Sequence, residues 1–422
     1  MDTNTRAALT VTVNDRAYRF PQQPVIVVCI DGSEPGYIEA AIAAGLAPNF
    51  QRLMQSGAHL QALSVIPSFT NPNNISIITG TPPARHGISG NYFFDPASGQ
   101  EVMMNEARFL RAPTIMENFA AAGAKVAVIT AKDKLRALLG HGLDTRSGRA
   151  ICFSSERADK ATLDENGIDH VPDFVGLKLP DVYSAALSEF VFAAGVKILA
   201  RYRPDLIYLS TTDYVQHKAR PGSAEANSFY AMIDRYVGAL DASGAVLALT
   251  ADHGMNDKHR PDGSPDVLYL QDWFDARLGQ NAARVILPIT DPYVKHHGAL
   301  GSFATVYLPA GVDAGDLLAA LSAMEGIALA MRRAEACRKF ELPFDRIGDL
   351  VVIASRHKVL GTSVARHDLS GLGGPLRSHG GLSEQSVPMI FNRNLTLPRG
   401  RVLRNFDVFD VALNLVSDAA TR

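Results

Sequence analysis

The sequence has little cysteine and little imbalance of charge, and each shortage excludes a class of protein. The cysteines in its 422 residues are Cys29, Cys152 and Cys337, which are widely separated, odd in number and without paired metal-ligand spacing. We therefore expect reduced thiols and exclude a disulfide-stapled scaffold. The 41 lysines and arginines nearly cancel the 43 aspartates and glutamates, leaving a formal charge of -2. Without a basic excess, nucleic acid is not expected as a partner.

Long apolar runs are also missing. The longest aliphatic strings, such as Val25 to Ile30, are far too short to span a bilayer, so no membrane partner is expected. Residues Met1 to Phe20 lack the continuous apolar stretch that a secretion signal needs, which predicts a cytoplasmic protein. The oligomeric state is left open by the sequence, with a homodimer as the candidate assembly.

Short aliphatic and β-branched runs that stop at polar clusters indicate buried parallel strands. These runs are residues 25–30, 125–130, 205–210 and 245–250. Helical periodicity lies between them, at residues 48–57, 182–202 and 226–240. The alternation predicts an α/β fold with a largely parallel central sheet flanked by helices. In such sheets ligands bind beyond the carboxyl ends of the strands.

Residues 255–372 have a different character, with many glycines and prolines. Short strand-like runs occur at 283–287, 303–308 and 349–353, and a helix is predicted around 314–324. We interpret this stretch as a smaller α+β cap insertion. The α/β core would then consist of residues 20–254 and 373–422.

Oxygen and nitrogen donors concentrate at the predicted strand ends and in one late glycine-rich loop. The candidates are Asp31, Asp213, His217, Asp252, His253 and His379. Individually they have ordinary alternatives: an Asp can cap a helix or open a turn, and a loop histidine can lack any role. Those alternatives do not readily explain why three aspartates all follow strands, two with histidines attached. Together the residues favour a pair of divalent ions of the zinc type.

A dinuclear site needs a nucleophile, and residues 67–80 offer hydroxyls. Thr70 precedes a segment in which Asn73 or Asn74 could cap a short helix that ends near Gly80. A helix N-terminus favours a phosphate-like anion. Spacing alone does not eliminate the competing hydroxyls of Ser68 and Thr79, and Thr70 could itself be a cap.

These motifs, in their order along the chain, resemble the alkaline phosphatase superfamily and its nucleotide pyrophosphatase/phosphodiesterase branch. The matching segments are Asp31, residues 70–73, 76–80 and 85–91, Asp213 with His217, residues 251–255, and His379 with Gly380. The resemblance implies one zinc ion held by Asp31, Thr70, Asp252 and His253. It implies a second zinc held by Asp213, His217 and His379, with Thr70 as the nucleophile. His86 lies outside the ligand pattern and is interpreted as structural.

Within that superfamily, residues 131–135 and 378–389 are most similar to members that hydrolyse the carbon–phosphorus bond of phosphonoacetate to acetate and phosphate. The resemblance implies this reaction through a phospho-threonine intermediate, with phosphodiester or nucleotide pyrophosphate cleavage as the alternative. Asn91 would hold a phosphoryl oxygen of the small anionic phosphonate. Lys132 and Lys134, two apart after a strand, would point the same way and bind its carboxylate.

The cap insertion offers further candidates for binding the substrate carboxylate. Arg284 is the first candidate, because a guanidinium can bind a carboxylate through two hydrogen bonds. Lys295, His296 and His297 are the alternatives.

Overall fold

The computed structural model describes residues 9–291, 298–370 and 372–417. Lys295, His296 and His297, the alternatives to Arg284, lie outside these residues. The strands are β1 (Thr10–Val13), β2 (Arg16–Arg19), β3 (Val25–Cys29), β4 (Ala58–Leu63), β5 (Tyr92–Asp95), β6 (Gln100–Met103), β7 (Val126–Thr130), β8 (Ala150–Ser154), β9 (Leu206–Ser210), β10 (Val246–Thr250), β11 (Asn256–Asp257), β12 (Val267–Tyr269), β13 (Arg284–Ile286), β14 (Phe303–Tyr307), β15 (Ile327–Arg332), β16 (Leu350–Ala354), β17 (Val359–Gly361), β18 (Arg377–Ser378) and β19 (Ser386–Phe391).

The α-helices are α1 (Pro35–Ala43), α2 (Pro48–Ser56), α3 (Thr70–Thr79), α4 (Pro83–His86), α5 (Ile115–Ala121), α6 (Asp133–Leu139), α7 (Leu163–Asn166), α8 (Val171–Val175), α9 (Ala186–Tyr202), α10 (Tyr214–Lys218), α11 (Ala224–Asp241), α12 (Leu270–Leu278), α13 (Ala314–Ser322), α14 (Arg333–Phe340) and α15 (Val408–Asp410). Helix α9 begins later than predicted, because a turn precedes it in which the Asp181 carboxylate accepts the Tyr183 N–H at 2.8 Å.

A seven-stranded sheet in the order β4-β19-β10-β3-β9-β7-β8 forms the centre of the protein. Strands β10, β3, β9, β7 and β8 run parallel, whereas β19 is antiparallel to both of its neighbours. Every residue of these parallel strands is buried, since helices cover both faces. The predicted α/β fold with a largely parallel sheet is confirmed.

Two apolar cores lie on the two faces of this sheet. One packs α1, α2, α9 and α11 against one face, and the other packs α3, α5, α6 and α15 against the opposite face. Helix α3 belongs to this second layer, and its Asn74 contacts Asp252 just after β10, so the start of α3 lies at the edge where the parallel strands end. That edge is where the predicted ligands lie.

A second, antiparallel sheet has the order β13-β14-β16-β15 and its own apolar core with α12, α13 and α14. Its strands include the three runs predicted in the insertion. Phe69, fully buried directly before Thr70, packs into this same core. The second sheet therefore supports the loop that carries the candidate nucleophile. The boundaries at 254/255 and 372/373 stay a prediction.

No helix within the described ranges combines the length and the apolar character that crossing a membrane requires.

Candidate active site

The predicted ligands meet at one edge of the central sheet. Asp31 follows β3, Asp213 follows β9 and Asp252 follows β10, and these three strands are parallel neighbours. Their carboxyl ends therefore share an edge, and the three carboxylates are brought together although they are far apart in sequence. His217 lies on the short helix α10 directly after Asp213, whereas His379 enters from the loop before β19.

The donor atoms lie within a few ångströms of one another. Asp213 Oδ2 lies 2.9 Å from His217 Nε2 and 3.6 Å from His379 Nε2. His253 Nε2 lies 3.3 Å from Asp31 Oδ1. Two groups of ligand atoms result, one of Asp213, His217 and His379 and the other of Asp31, Asp213 and His253.

Asp252 lies at the margin of the second group, with Oδ2 3.8 Å from His253 Nε2. Its Oδ1 accepts the backbone N–H groups of Gly32 at 3.1 Å and His253 at 3.0 Å. Its Oδ2 accepts the Asn74 side-chain amide at 3.0 Å. A carboxylate has about four lone-pair positions, and these three hydrogen bonds leave one of them for a metal ion. The bonds therefore orient Asp252 and still allow it to be a ligand.

Each of the three imidazoles is oriented by a backbone carbonyl. The Nδ1–H of His217 donates to Arg377 O, that of His253 to Gly254 O, and that of His379 to Ser68 O, all at 2.9 Å. A carbonyl only accepts, so Nδ1 carries the proton and the Nε2 lone pair is directed into the cluster. This is the usual arrangement of metal-binding histidines.

The electrostatics of the cluster fit a cation. Asp31 Oδ1 is buried and has no hydrogen-bond partner. Burial, and then the neighbouring carboxylates of Asp213 and Asp252, hold the pKa of Asp31 well above its ordinary value. Burial also lowers the pKa of His379 far below its usual range, which keeps that imidazole neutral. An oxygen and nitrogen donor set of this kind, with an orphaned carboxylate oxygen, fits divalent metal.

Thr70 is the first residue of helix α3, and its Oγ1 lies 3.4 Å from His253 Nε2. The expectation that Asn73 or Asn74 caps this helix is wrong, since Phe69 is the N-cap. Both asparagines lie buried inside the helix. The Asn73 amide bonds the chain around Val65, whereas the Asn74 amide donates to Thr70 O and Asp252 Oδ2. Gly80, with φ +66°, ends the helix as expected.

The competing hydroxyls are engaged elsewhere. Ser68 Oγ is fully buried and donates to Gly381 O at 2.7 Å. Thr79 lies at the far end of α3 and donates to Ile75 O at 2.6 Å. Of the three hydroxyls in residues 67–80 that the sequence left open, Thr70 lines the cavity at the cluster, and the other two do not.

A cavity that is partly open to solvent lies over the cluster. Its lining residues are Asp31, Thr70, Asn91, Lys132, Lys134, Tyr183, Thr212, Asp213, Tyr214, His217, Ile289, Asp291 and His379. Lys132 Nζ donates to Val182 O at 3.4 Å and lies 5.2 Å from the centre of the Tyr183 ring. Lys134 forms an ion pair with the buried Asp291. Both lysines thus face the same cavity as Thr70.

Asn91 is buried beside the start of α3. Its Oδ1 accepts the backbone N–H of Asn71 at 3.0 Å, which orients the amide. The amide nitrogen then remains as the donor for a ligand oxygen in the cavity.

Arg284 is not among the residues that line this cavity, so its role as an anchor for the substrate stays a prediction. It begins strand β13 with an exposed side chain, stacked 4.4 Å from the centre of the Phe94 ring and 3.7 Å from Glu101. The register of β13 sends Val285 into the core instead. His86 is fully buried and bonded to Ser76, and burial lowers its pKa to about 3, in agreement with a structural role.

Several lining residues were not predicted. Thr212 and Tyr214 flank Asp213, so their proximity to the ligand was a usable signal. Tyr183 and Asp291 were given no role from the sequence, and the folded chain brings them to the cavity.

Comparison with known proteins finds a matching family and a solved relative of high sequence identity. A family-wide sequence model described as Type I phosphodiesterase / nucleotide pyrophosphatase matches residues 25–381. Phosphonoacetate hydrolase from Sinorhizobium meliloti 1021, solved in complex with phosphonoformate and with phosphonoacetate, is 62% identical with a TM-score of 0.94. The match covers 96% of this chain and 98% of that chain.

Two curated relatives are more distant. An uncharacterised pyrophosphatase/phosphodiesterase of Schizosaccharomyces pombe is 26% identical over 60% of this chain and 48% of its own length. The venom phosphodiesterase of Macrovipera lebetinus is 27% identical over 61% of this chain and 28% of its own length. The chain thus spans about half or less of these curated relatives.

The predicted similarity to phosphonoacetate hydrolase and to the alkaline phosphatase superfamily is confirmed. With most of its length matched by the family-wide model, the chain belongs to the type I phosphodiesterase/nucleotide pyrophosphatase family.

Proposed function

We propose that this hydrolase cleaves the carbon–phosphorus bond of phosphonoacetate to acetate and phosphate. The observation that carries the proposal is that one cavity holds both the Thr70 cluster and the ammonium groups of Lys132 and Lys134. A phosphonate would lie at the cluster and a carboxylate at the lysines. The 62% identical phosphonoacetate hydrolase supports the same substrate.

The proposed cofactor is a pair of zinc ions. Asp31, Thr70, Asp252 and His253 would hold one ion, and Asp213, His217 and His379 would hold the other. When bound, zinc would supply Lewis-acid polarisation of the phosphoryl oxygens and would lower the pKa of the Thr70 hydroxyl.

Thr70 acts as the nucleophile in this proposal. The Thr70 hydroxyl gives its proton to water, its Oγ1 attacks phosphorus and forms the O–P bond, and the P–C bond breaks to leave a phospho-threonine and the enediolate form of acetate. The carbon then takes a proton from water. A second water hydrolyses the phospho-threonine, which releases phosphate and restores the hydroxyl. The side-chain amide of Asn91 would hold a phosphoryl oxygen.

Lys132 and Lys134 would stabilise the leaving group. Carbon leaves poorly, but a carboxylate on that carbon delocalises the developing charge, and ammonium groups beside it lower the barrier. Burial lowers the pKa of Lys132 from its ordinary value. Water is partly excluded there, so the attraction between this ammonium and a substrate carboxylate would be only weakly screened.

Cleavage of phosphodiesters or nucleotide pyrophosphates is the second candidate, favoured by the match of residues 25–381 to that family. The test is substrate profiling of zinc-loaded enzyme. We expect phosphate release from phosphonoacetate at a kcat/KM well above that for a chromogenic phosphodiester. The reverse order would establish the second candidate.

Lys132→Ala is expected to raise the KM for phosphonoacetate by about 10-fold or more, because a charge-assisted hydrogen bond contributes roughly 1.5–3 kcal/mol. The KM for a phosphodiester without a carboxylate should change much less. Lys160→Ala, at an exposed lysine outside the cavity lining, is the matched control. Steady-state kinetics on both substrates measure the difference. Equal effects on both would mean that Lys132 does not bind the carboxylate.

A further inference from the structure

A buried ion pair outside the cavity lining connects the two loops that carry His253 and His379. Lys258 Nζ donates to Glu384 Oε1 at 2.9 Å, and both side chains are fully inaccessible to solvent. Removing two charges from water is costly unless their remaining polar atoms are satisfied. Here they are satisfied, since Lys258 also donates to Arg356 O at 2.7 Å. Asn256 Nδ2 and Ser383 Oγ add bonds of 2.6 Å to the same Glu384 oxygen.

Glu384 joins both loops directly. Its backbone oxygen accepts the N–H of Gly254, the residue after His253, at 2.7 Å. Its Oε2 accepts the N–H of Gly381, two residues after His379, at 2.9 Å. One side of this residue therefore holds the loop of the first histidine, and the other side holds the loop of the second.

The same loop extends the connection to the nucleophile segment. Gly381 O accepts the Ser68 hydroxyl at 2.7 Å, and Ser68 O accepts His379 Nδ1–H at 2.9 Å. The His253 and His379 rings stack with centroids 3.7 Å apart and 7° between their planes. A small shift of the Gly380–Gly381 backbone would change this spacing.

We propose that the Lys258–Glu384 pair is a positioning device that fixes His379 relative to His253, and through it the affinity for the metal ion bound by Asp213, His217 and His379. The inference rests on the dinuclear site of the proposed function. Neither side chain touches the metal ligands, so both act through the backbone of the two loops. Partners of this kind that orient metal ligands typically contribute about 10- to 100-fold in affinity.

Glu384→Gln tests the device, because an amide replaces one acceptor oxygen by a donor. That donor then opposes either Gly381 N–H or the cluster of Lys258, Asn256 and Ser383. We expect the dissociation constant of one of the two zinc ions to rise by about 10- to 100-fold, measured by titrating the apoenzyme in zinc buffers. The other ion should bind nearly as in the wild type. The kcat lost at low zinc should be restored at high zinc, and the visible spectrum of the cobalt-substituted enzyme should change.

Asp234→Asn is the matched control for a general loss of stability. Asp234 is a buried carboxylate on α11 that accepts the N–H of Phe50 at 2.7 Å, outside the lining of the cavity. It should lower Tm without changing zinc affinity. Ser383→Ala, which removes a single donor to Glu384, provides a milder test if Glu384→Gln does not fold, with a smaller loss of zinc affinity in the same direction.

If Glu384→Gln or Ser383→Ala lowers only Tm, as Asp234→Asn is expected to do, and both ions bind as in the wild type, the pair is merely structural. The positioning role is then refuted, and the proposed function is unaffected. If the wild type itself binds no zinc, the proposed metal site falls with it. The two failures are thus distinguished by the zinc titration of the unmodified chain.

Discussion

Thr70→Ala is expected to lower kcat on phosphonoacetate by about 10³-fold or more, because it removes the oxygen that would form the bond to phosphorus. The other proposed ligands remain, so the variant should still bind metal. Rapid quenching of the wild type during turnover should trap a phospho-threonine at position 70, detectable by mass spectrometry. The variant should give none.

Thr79→Ala is the matched control, since it makes the same threonine-to-alanine change at the opposite end of the same helix. Thr79 Oγ1 bonds only within α3 among the contacts described, to Ile75 O at 2.6 Å. The variant should turn over within a few-fold of the wild type. A near-wild-type rate for Thr70→Ala would remove Thr70 from the role of nucleophile.

Asp213→Asn is expected to have the second large effect. Asp213 Oδ2 lies 2.9 Å from His217 Nε2 and 3.6 Å from His379 Nε2, and the residue belongs to both groups of ligand atoms. Replacing this carboxylate should remove one metal equivalent and lower kcat/KM by roughly 10³-fold, which corresponds to about 4 kcal/mol of transition-state stabilisation. Elemental analysis of the purified variant and steady-state kinetics measure the two losses.

Asp205→Asn serves as the comparison, because Asp205 directly precedes the same strand, β9, at the end opposite Asp213, and its carboxylate accepts the Lys125 N–H at 2.8 Å. It should retain both metal equivalents and its activity. Full metal content together with a high rate in Asp213→Asn would contradict the ligand assignment.

The fold and the ligand cluster were predictable because each depends on local pattern. The runs at 25–30, 205–210 and 245–250 are short and aliphatic, and an aspartate follows each of them within three residues. Neighbouring parallel strands end at the same edge of a sheet. The three aspartates therefore come together if their strands are neighbours, and β10, β3 and β9 are neighbours. Helix α3 was predicted to end at Gly80, where glycine accommodates a left-handed backbone.

The sequence was a poor guide where the role of a residue depends on the direction of its side chain or on a contact with a distant part of the chain. Asn73 and Asn74 are residue types that often cap helices, but the Asn73 amide bonds Val65 in the preceding loop and the Asn74 amide bonds Asp252, which is distant in sequence. Arg284 is exposed at the start of a short strand and does not line the cavity, a placement that composition does not encode. Glu384 and Lys258 are separated by 126 positions, and nothing in the sequence distinguishes them from ordinary surface charges. Their burial and their pairing are visible only in the folded chain.

The carbonyls that orient the three imidazoles have a consequence for how this protein can vary. Arg377 O, Gly254 O and Ser68 O are main-chain atoms, so exchanging a side chain at those positions leaves the acceptor in place. Inserting or deleting one residue in the same loops would move it. Selection on imidazole orientation therefore acts on the length and path of these loops more than on residue type. Homologues should accordingly conserve loop spacing around the histidines even where the neighbouring residues differ.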